Sequence, residues 1–434
     1  MARRAPALGL ALAALLGSVL VLGCGQAAGD ARTVVRFWAF GREGEVVREL
    51  VPAFERRHPQ WRVEVQQVPW TAAHEKLLTA FVGGTMPDAA QLGNSWIPEF
   101  VALGALAPLD ARLPGTIPVD DFFAGIWETN VLDGQTWGVP WYVDTRLLFY
   151  RRDLLAQAGY PEPPRTWAEW RAAMVAVKAL GPDRYAILLP IDEWAQPVIL
   201  AMQAGSELLR EEGTRGAFAD PRFRRAMAFY LDLYASGLAP PLTLSGLSNL
   251  YQQFAEGYFA MVITGPWNLG EFRRRLPEAM QDRWATAPLP APDEASGGPG
   301  VSLAGGSSLV LFRSARASEA AWSWLAYLAE PEQQARFHEL TGNLPARRSV
   351  WEATGLASEP RTAAFAAQLA VVRATPKVPE WEQIATKIAD HAEAVMRGAR
   401  TLDEGLAALD HDVDRILEKR RWLRERAATG RRRD

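Results

Sequence analysis

The alternation of apolar and polar residues near the start of the chain predicts strands and helices in turn. Residues Thr33–Phe40 are rich in β-branched and aromatic residues, and Trp61–Val68 alternates between the two classes, so both predict strands. Apolar residues at helical spacing predict helices over residues 46–54 and 72–82, and residues 87–92 predict a short buried strand. This β-α-β-α-β order is typical of an α/β lobe with a largely parallel sheet.

Further along, the pattern predicts one long extended segment and then mainly helices. Residues 137–150 are extended and long enough to pass from one lobe to another. Thr166 and Glu169 have the spacing of a capping box, and Asp220 before Pro221 is typical of a helix start. Strands are then expected at Phe259–Thr264 and 308–312, and helices at 318–329, 331–341, 361–373, 381–397 and 402–426.

The N-terminus has the features of an export signal. Two arginines precede an uncharged apolar run over residues 5–22, and Val-Leu-Gly-Cys24 follows the pattern of a bacterial lipobox. We therefore expect residues 1–23 to be a signal peptide, Cys24 to carry the lipid, and residues 24–32 to form a tether. The alternative is a secreted protein without a lipid, in which Cys24 has no such role.

Composition narrows the class of protein. The 434 residues suffice for two or three domains, and 49% apolar with 22% charged residues is typical of a globular chain. The 47 basic and 50 acidic residues give a net charge of −3, which does not indicate nucleic-acid binding. Residues 427–434 are expected to be a disordered basic tail. A single cysteine excludes a disulfide framework and a cysteine-rich zinc site.

The chain contains 17 tryptophans, and their positions suggest two roles. Those at helical spacing are expected in the core. Others fall at the ends of elements or in loops, where α/β folds collect binding groups. An indole face suits the C–H face of a pyranose, and the indole N–H can donate to a hydroxyl. These positions predict a carbohydrate-sized polar ligand: Trp38, Trp96, Trp141, Trp194 and Trp267.

Signals of catalysis are sparse. The five histidines form no His-x-x-x-His pair, and the chain has no nucleophile elbow, phosphate-binding loop or dinucleotide fingerprint. A protein that is not an enzyme and needs no cofactor or metal is therefore favoured. Glu43, Asp144 or Glu193 could still supply the carboxylate pair of a glycosidase, because sequence does not fix their separation. A secreted carbohydrate-active hydrolase thus stays as an alternative.

Short motifs spread over the mature chain are most informative through their order and spacing. They are Arg36-Phe-Trp-Ala-Phe40, Gly83-Gly-Thr-Met-Pro-Asp88, Val139-Pro-Trp-Tyr-Val-Asp144, Phe254-Ala-Glu-Gly-Tyr-Phe-Ala-Met-Val-Ile-Thr-Gly-Pro-Trp267, Gly305-Gly306-Ser307 and Gly342-Asn-Leu-Pro-Ala-Arg347. In this order the chain resembles the extracellular solute-binding protein family 1, the maltose-binding-protein-like receptors of ABC sugar importers.

The resemblance implies an α/β two-lobe fold of the periplasmic-binding-protein type II class, with a ligand cleft between the lobes and three crossings. Lobe 1 is then expected to comprise residues 33–142 and 290–314, and lobe 2 residues 143–289 and 315–426. The crossings are expected near Trp141, near Pro288 and at 313–317. Closure of the lobes on a ligand would be a hinge motion.

The resemblance also implies a function and a set of ligand contacts. The expected protein is a lipid-anchored, monomeric receptor in the periplasm or at the cell surface, which passes a mono- or oligosaccharide to the transmembrane subunits of an ABC importer. A receptor for glycerol-3-phosphate or another polyol ester is the alternative within this class. The implied ligand-binding residues are Trp38, Phe40, Glu43, Asn94, Trp96, Trp141, Asp144, Trp194, Trp267, Gly305, Gly306, Asn343 and Arg347.

Several of these residues also have simpler explanations. Glu43 can serve as a first-turn charge that favours the helix dipole. Asp144 can be a turn residue, and the Gly305-Gly306 pair can belong to an ordinary loop. Arg347 can pair with a surface carboxylate instead of a ligand.

Overall fold

The first three predicted strands and the helices between them form as the hydrophobic pattern indicates. In the computed structural model, which describes residues 32–243, 246–247 and 249–430, these strands lie side by side and in parallel. Side chains are described up to residue 426. The predicted signal peptide, the lipidation site Cys24 and nearly all of the tether fall in residues 1–31, outside the described residues.

The strands alternate with helices along most of the chain. In chain order, β1 to β16 are Thr33–Phe40, Trp61–Val68, Ala89–Gly93, Val131–Leu132, Gln135–Thr136, Val139–Asp144, Leu147–Arg151, Tyr185–Leu188, Leu209–Arg210, Arg215–Gly216, Phe259–Thr264, Trp284–Ala287, Ser302–Leu303, Gly305–Leu311, Leu344–Pro345 and Val372–Arg373.

The helices become longer and more frequent toward the C-terminus. In chain order, α1 to α18 are Gly41–Val46, Val51–Arg57, Trp70–Val82, Ile97–Ala102, Ala124–Glu128, Arg152–Gln157, Trp167–Lys178, Ala195–Gln203, Pro221–Ala235, Leu250–Glu256, Trp267–Arg275, Ser318–Leu328, Pro331–Thr341, Arg348–Thr354, Pro360–Leu369, Trp381–Met396, Leu402–Ile416 and Glu418–Gly430.

Two helix starts follow the predicted capping chemistry. The Thr166 hydroxyl accepts a hydrogen bond from the Glu169 backbone N–H at 3.2 Å, and the Glu169 carboxylate accepts one from the Thr166 N–H at 3.3 Å. Asp220 likewise accepts from the Arg222 N–H at 2.8 Å, with proline at the first position of α9. Both caps satisfy N–H groups that have no partner inside their own helix. Across the described ranges, no helix combines the length and the apolar character needed to cross a lipid bilayer.

Lobe 1 is built on a six-stranded sheet in the order β15-β6-β14-β3-β1-β2. Strands β1, β2 and β3 are parallel, whereas β14 runs antiparallel to both β3 and β6. Helix α12 packs on β1, β3 and β14, and α13 contacts α1. The ring of Trp324 lies edge-on to those of Phe37 and Phe54 in the core between sheet and helix.

Lobe 2 has a four-stranded sheet in the order β12-β7-β11-β8. Its β8 and β11 are parallel, and β7 runs antiparallel to β11 and β12. Helices α7, α10 and α15 pack on this sheet, and α16 and α17 pack with α9. The carboxyl ends of β8 and β11 therefore form one edge of lobe 2, as those of β1 to β3 do in lobe 1.

Within the described residues the chain passes between the lobes three times, at 145–146, 288–304 and 355–359. The first passage directly follows β6, because β6 and β7 belong to different sheets. Within the second, β13 pairs in parallel with β16, which follows α15 of lobe 2. The predicted α/β two-lobe class is confirmed.

The predicted lobe boundaries need correction. The sequence assigns residues 315–426 to lobe 2, whereas helices α12 to α14 belong to lobe 1, because the apolar face of α12 covers β1 and β14. Residues 143 and 144 also stay in lobe 1 as the end of β6. The third passage accordingly lies at 355–359 and not at 313–317.

The C-terminal helix predicted over residues 402–426 forms as two helices. Buried Leu417 separates α17 from α18. Helix α18 extends to Gly430, so residues 427–430 are helical and not part of the expected disordered tail. Residues 431–434 lie outside the described residues.

Candidate ligand-binding cleft

The carboxyl ends of parallel strands from both lobes face a single cavity of about 690 Å³. Lobe 1 contributes the residues that follow β1, β2 and β3, and lobe 2 contributes those that follow β8 and β11. Ligands of open α/β sheets bind at this edge, because the loops and helix starts that follow the strands supply the binding groups. The volume lies within the range of ~300–1,000 Å³ that is usual for small-molecule sites.

Two tryptophans form the aromatic wall of lobe 1. Trp70 follows β2 and Trp96 follows β3, and their ring centroids are 5.8 Å apart in an edge-on arrangement. Phe40 is fully buried behind them, with ring centroids 5.2 Å from Trp70 and 6.0 Å from Trp96. His74 lies 5.0 Å from the Trp96 ring. These contacts hold both indoles in place, and Trp70 remains 37% exposed.

Lobe 2 presents two further tryptophans to the same cavity. Trp194 precedes α8 and meets Trp381 edge-on at 5.6 Å, and Trp267 begins α11 with 36% of its surface exposed. The Arg146 guanidinium lies over the Trp267 ring at 4.3 Å, a cation–π distance. A Cβ on Gly265 would overlap the Trp267 ring, so glycine is required there for the indole to fold over the strand end.

Glu43 is held by two donors at the entrance from β1. Its Oε1 accepts a hydrogen bond from Asn343 Nδ2 at 2.8 Å, and its Oε2 accepts one from Trp70 Nε1 at 3.2 Å. Glu43 is only 8% exposed, and its carboxylate has no cationic partner within hydrogen-bond distance among the described residues. Its remaining lone pairs can accept hydrogen bonds from ligand hydroxyls.

Tyr142 anchors a buried polar network at the floor of the cavity. Its hydroxyl oxygen accepts hydrogen bonds from Gln91 Nε2 at 2.9 Å and from the Ser307 hydroxyl at 3.0 Å. Gln91 in turn accepts from the Phe40 backbone N–H at 2.8 Å. Burial, together with the nearby Glu43 charge, raises the pKa of Tyr142 well above its ordinary value, so the phenol stays neutral.

Asn94 has one hydrogen-bonding group without a partner. Its Oδ1 accepts from the Ser308 hydroxyl at 2.9 Å, while its Nδ2 is buried and finds no partner within the described part of the chain. Leaving a buried donor unpaired costs about 1–3 kcal/mol. Because Asn94 lines the cavity, a ligand acceptor would satisfy this group.

Two acidic side chains in the cavity have raised pKa values. Burial raises the pKa of Asp144, against the opposite effect of Arg146, whose Nη1 donates to Asp144 Oδ1 at 2.8 Å. Burial also raises the pKa of Glu382 on α16. The Ser95 hydroxyl of lobe 1 donates to Glu382 Oε1 of lobe 2 at 2.7 Å, so the two lobes are in direct contact across the cleft.

The cavity has more acidic than basic side chains. The acidic group comprises Glu43, Asp144, Glu193, Glu271 and Glu382, and the basic group Arg42, Arg146 and Lys377. Lys377 Nζ donates to the Glu128 carboxylate at 2.5 Å and to the Glu128 carbonyl at 2.7 Å, so its charge is already paired. No cluster suited to a metal ion occurs among the described side chains.

A family model described as "Bacterial extracellular solute-binding protein" matches residues 41–335. This span covers strands of both lobes and the four tryptophans of the cavity. The chain belongs to this family. The family is one of binding proteins and not of enzymes, and its members act outside the cytoplasm.

Individual relatives cover nearly the whole chain. This solute-binding protein is similar to the sugar-binding protein MalE of Xanthomonas citri, with 48% identity and a TM-score of 0.85 over 91% of this chain and 99% of that one. It is 29% identical over 411 residues to a binding protein of Brucella abortus, covering 93% and 97% of the two chains. The diacetylchitobiose binding protein DasA of Streptomyces coelicolor is 26% identical over 363 residues, covering 82% and 83%.

Nine of the thirteen ligand-binding residues expected from the sequence line the cavity of this solute-binding protein. They come from both lobes and from strands distant in the chain: Glu43, Asn94, Trp96, Asp144, Trp194, Trp267, Gly305, Gly306 and Asn343. For the two glycines the structure adds a reason. A Cβ at either position would overlap the backbone of β6, so β14 can approach β6 this closely only with glycine there.

The other four expected residues lie elsewhere, which corrects their assignment. Trp141 is 1% exposed and stacks on Phe337 at 4.3 Å, because it points to the opposite face of β6 from Asp144. Trp38 packs in the core beneath Lys76, and fully buried Phe40 supports the aromatic wall from behind.

Arg347 is the fourth residue outside the cavity. Its Nε donates to Asp121 Oδ2 at 2.6 Å, and its Nη1 donates to the Ala329 carbonyl at 2.9 Å. Burial acts to raise the pKa of Asp121, but hydrogen bonds from Ser349 and Arg347 hold it below its ordinary value. Arg347 thus pairs with a carboxylate, as in the simpler explanation given for it from the sequence.

Sequence reasoning missed Trp70, Tyr142, Ser95 and Glu382, all of which line the cavity. Trp70 could have been found from the sequence, because it directly follows predicted strand β2. The residues that follow β1 and β3, at the same edge of the sheet, are among the predicted ligand contacts. Tyr142 lies two residues from Asp144 on the same strand and so shares its face. Glu382 had no local signal, since α16 reaches the cleft only through the packing of lobe 2.

Proposed function

We propose that this solute-binding protein captures a mono- or oligosaccharide between its lobes and delivers it to the membrane subunits of an ABC importer. The observation that carries the proposal is the set of four indoles, two from each lobe, around one cavity rich in hydrogen-bond acceptors: Trp70, Trp96, Trp194 and Trp267. The relationship to the sugar-binding protein of Xanthomonas citri and to the diacetylchitobiose binding protein supports it.

The chemistry of the cavity matches that of a sugar. Indole faces cover the apolar C–H faces of a pyranose, and the hydroxyls need donors and acceptors at the ring edge. Glu43 and Asp144 provide acceptor oxygens, and Asn94 Nδ2 provides an unsatisfied donor. The proposed ligand contacts are these residues with the four tryptophans, Asn343, and the backbone at Gly305 and Gly306.

Capture by closure follows from the position of these groups on opposite lobes. A ligand that stacks on Trp96 of lobe 1 and on Trp267 of lobe 2 is fully bound only when the cleft is closed. Such a ligand shifts the equilibrium toward the closed form by its differential affinity for the two states. The closed form is then the one that the importer recognises.

The acidic excess of the cavity argues against a phosphate ester as the ligand. Arg146 is paired with Asp144, Lys377 is paired with Glu128, and Arg42 donates to the Leu340 carbonyl. An anionic ligand would have to compete for these cations. It would also face Glu43 and Glu193, which form no ion pair among the described residues.

A panel of saccharides tests the proposal. We expect at least one neutral mono- or oligosaccharide to bind the mature chain with micromolar or tighter affinity by isothermal titration calorimetry, with a change in tryptophan fluorescence. Incubation should leave that saccharide intact by chromatography. Absence of binding across the panel would refute sugar capture, and turnover of the bound saccharide would favour the hydrolase alternative.

We also propose that Cys24 carries the lipid anchor after removal of residues 1–23. The support is the lipobox pattern of the sequence, together with the fact that Cys24 is the only cysteine of the chain. Cells grown with labelled palmitate should incorporate the label into the wild-type protein and not into the Cys24→Ala variant. An unlabelled wild-type protein, or a variant that keeps the label, would contradict the anchor.

A further inference from the structure

A second cavity, of about 410 Å³, adjoins the first within lobe 2. It lies between the carboxyl ends of β8 and β11 and the helices α10 and α11. Arg146, Glu193 and Trp267 line both cavities, so they form the boundary between them. A ligand that stacks on Trp267 in the first cavity is therefore directly beside the second.

The second cavity holds a buried acceptor without a partner. Gln196, on α8, is 2% exposed, and its Oε1 accepts no hydrogen bond within the described ranges. An unpaired buried carbonyl of this kind costs about 1–3 kcal/mol in the absence of a compensating donor. A hydroxyl placed in the cavity would supply that donor.

A directed chain of hydrogen bonds places a donor in the same cavity. The Tyr251 hydroxyl donates to Asn268 Oδ1 at 2.9 Å, and Asn268 Nδ2 donates to Thr264 Oγ1 at 2.7 Å. Burial raises the pKa of Tyr251 to about 12, which keeps its proton in place near neutral pH. Since Thr264 is an acceptor in this chain, its own hydroxyl proton can be donated to a ligand in the cavity.

The other lining groups suit a neutral polar ligand with an apolar face. Leu188, Val262 and Ile263 supply apolar surface. The two cations are compensated, because Arg146 pairs with Asp144 at 2.8 Å and Arg275 Nε contacts Glu271 at 2.6 Å. A sugar ring, which has a C–H face and hydroxyls that both donate and accept, matches this combination.

We infer that the second cavity holds a second sugar unit, so that the ligand is at least a disaccharide, and that Gln196 is a specificity-determining contact to that unit. This inference rests on the proposed sugar capture. The first cavity binds one unit between the tryptophans, and the second unit passes beside Trp267 to reach Gln196 and Thr264.

The experiment compares matched monosaccharides and disaccharides by calorimetry on the wild-type mature chain and on Gln196→Met. The probes are glucose with maltose, N-acetylglucosamine with diacetylchitobiose, and galactose with galactobiose. Methionine keeps the length of glutamine and removes the acceptor. We expect a disaccharide to bind the wild-type protein at least tenfold more tightly than its monosaccharide does. Gln196→Met should weaken disaccharide binding about tenfold and leave the monosaccharide affinity unchanged.

Gln252→Met is the matched control, because Gln252 is exposed on α10, bonds to Glu256 and lines neither cavity. It should alter neither affinity, and thermal unfolding of both variants establishes that they are folded. Monosaccharide affinity equal to that of the disaccharides, or an equal loss for both in Gln196→Met, would overturn the inference and leave sugar capture standing. If the wild-type protein binds none of these probes, the inference is overturned for these sugars. Sugar capture itself is refuted only if the wider saccharide panel also shows no binding.

Discussion

Replacing Trp267 by alanine is expected to weaken saccharide binding by roughly thirty- to a hundredfold, or ~2–3 kcal/mol. Trp267 lies at the boundary of the two cavities and supplies the stacking surface of lobe 2. Its loss also removes the platform that holds Arg146 at 4.3 Å, and so disturbs the pair between Arg146 and Asp144. Calorimetric titration with the tightest-binding saccharide of the panel measures the effect.

Trp422→Ala is the matched control for this substitution. Trp422 is 50% exposed on α18 and lines none of the cavities described above, so its removal should leave the affinity unchanged. If Trp267→Ala binds the saccharide as tightly as wild type does, stacking from lobe 2 is not part of recognition. An equal loss in both variants would show that the effect of Trp267→Ala is not specific to the cleft.

Gly306→Ala is expected to destabilise the protein by about 3 kcal/mol or more. Gly306 has a φ of +137°, which side chains rarely adopt, and a Cβ there would overlap the Tyr142 carbonyl oxygen on β6. Neither problem can be relieved without moving β14 away from β6. Because this contact positions Ser307, Tyr142 and Asp144, binding should be lost together with stability.

Gly104→Ala separates the effect of backbone strain from the effect of the overlap with β6. Gly104 also has a positive φ, of +70°, but open space surrounds the position of its Cβ. Urea unfolding should show a loss of about 1–2 kcal/mol for Gly104→Ala from backbone strain alone, clearly less than for Gly306→Ala. Equal losses for the two variants would mean that the close approach of β14 and β6 adds nothing to the requirement for glycine.

The sequence predicts the local structure of this protein well where the signal is carried by neighbouring residues. The capping residues Thr166 and Asp220 begin helices as expected, and the strands of lobe 1 appear at the predicted alternations. The boundary between the lobes cannot be predicted from neighbouring residues in this way. Helices α12 to α14 show the same amphipathic pattern whichever sheet they cover, so only packing on β1 and β14 places them in lobe 1.

The cleft itself was partly predictable from strand geometry. Asp144 and Trp141 are three residues apart on β6, and side chains on a strand alternate between its two faces. Placing Asp144 in the cleft therefore implies that Trp141 faces the core and Tyr142 the cleft. Arg347 and Glu382 could not be placed in this way, because their partners Asp121 and Ser95 are distant in sequence.

Capture by this protein requires that one ligand is held between the two lobes. A crystal structure of the mature chain with the tightest-binding saccharide of the panel would show this. We expect an intact sugar in the cavity, stacked on Trp267 and in contact with residues of lobe 1 such as Trp96 and Asn94. A saccharide bound outside this cavity, or held by one lobe alone, would contradict it.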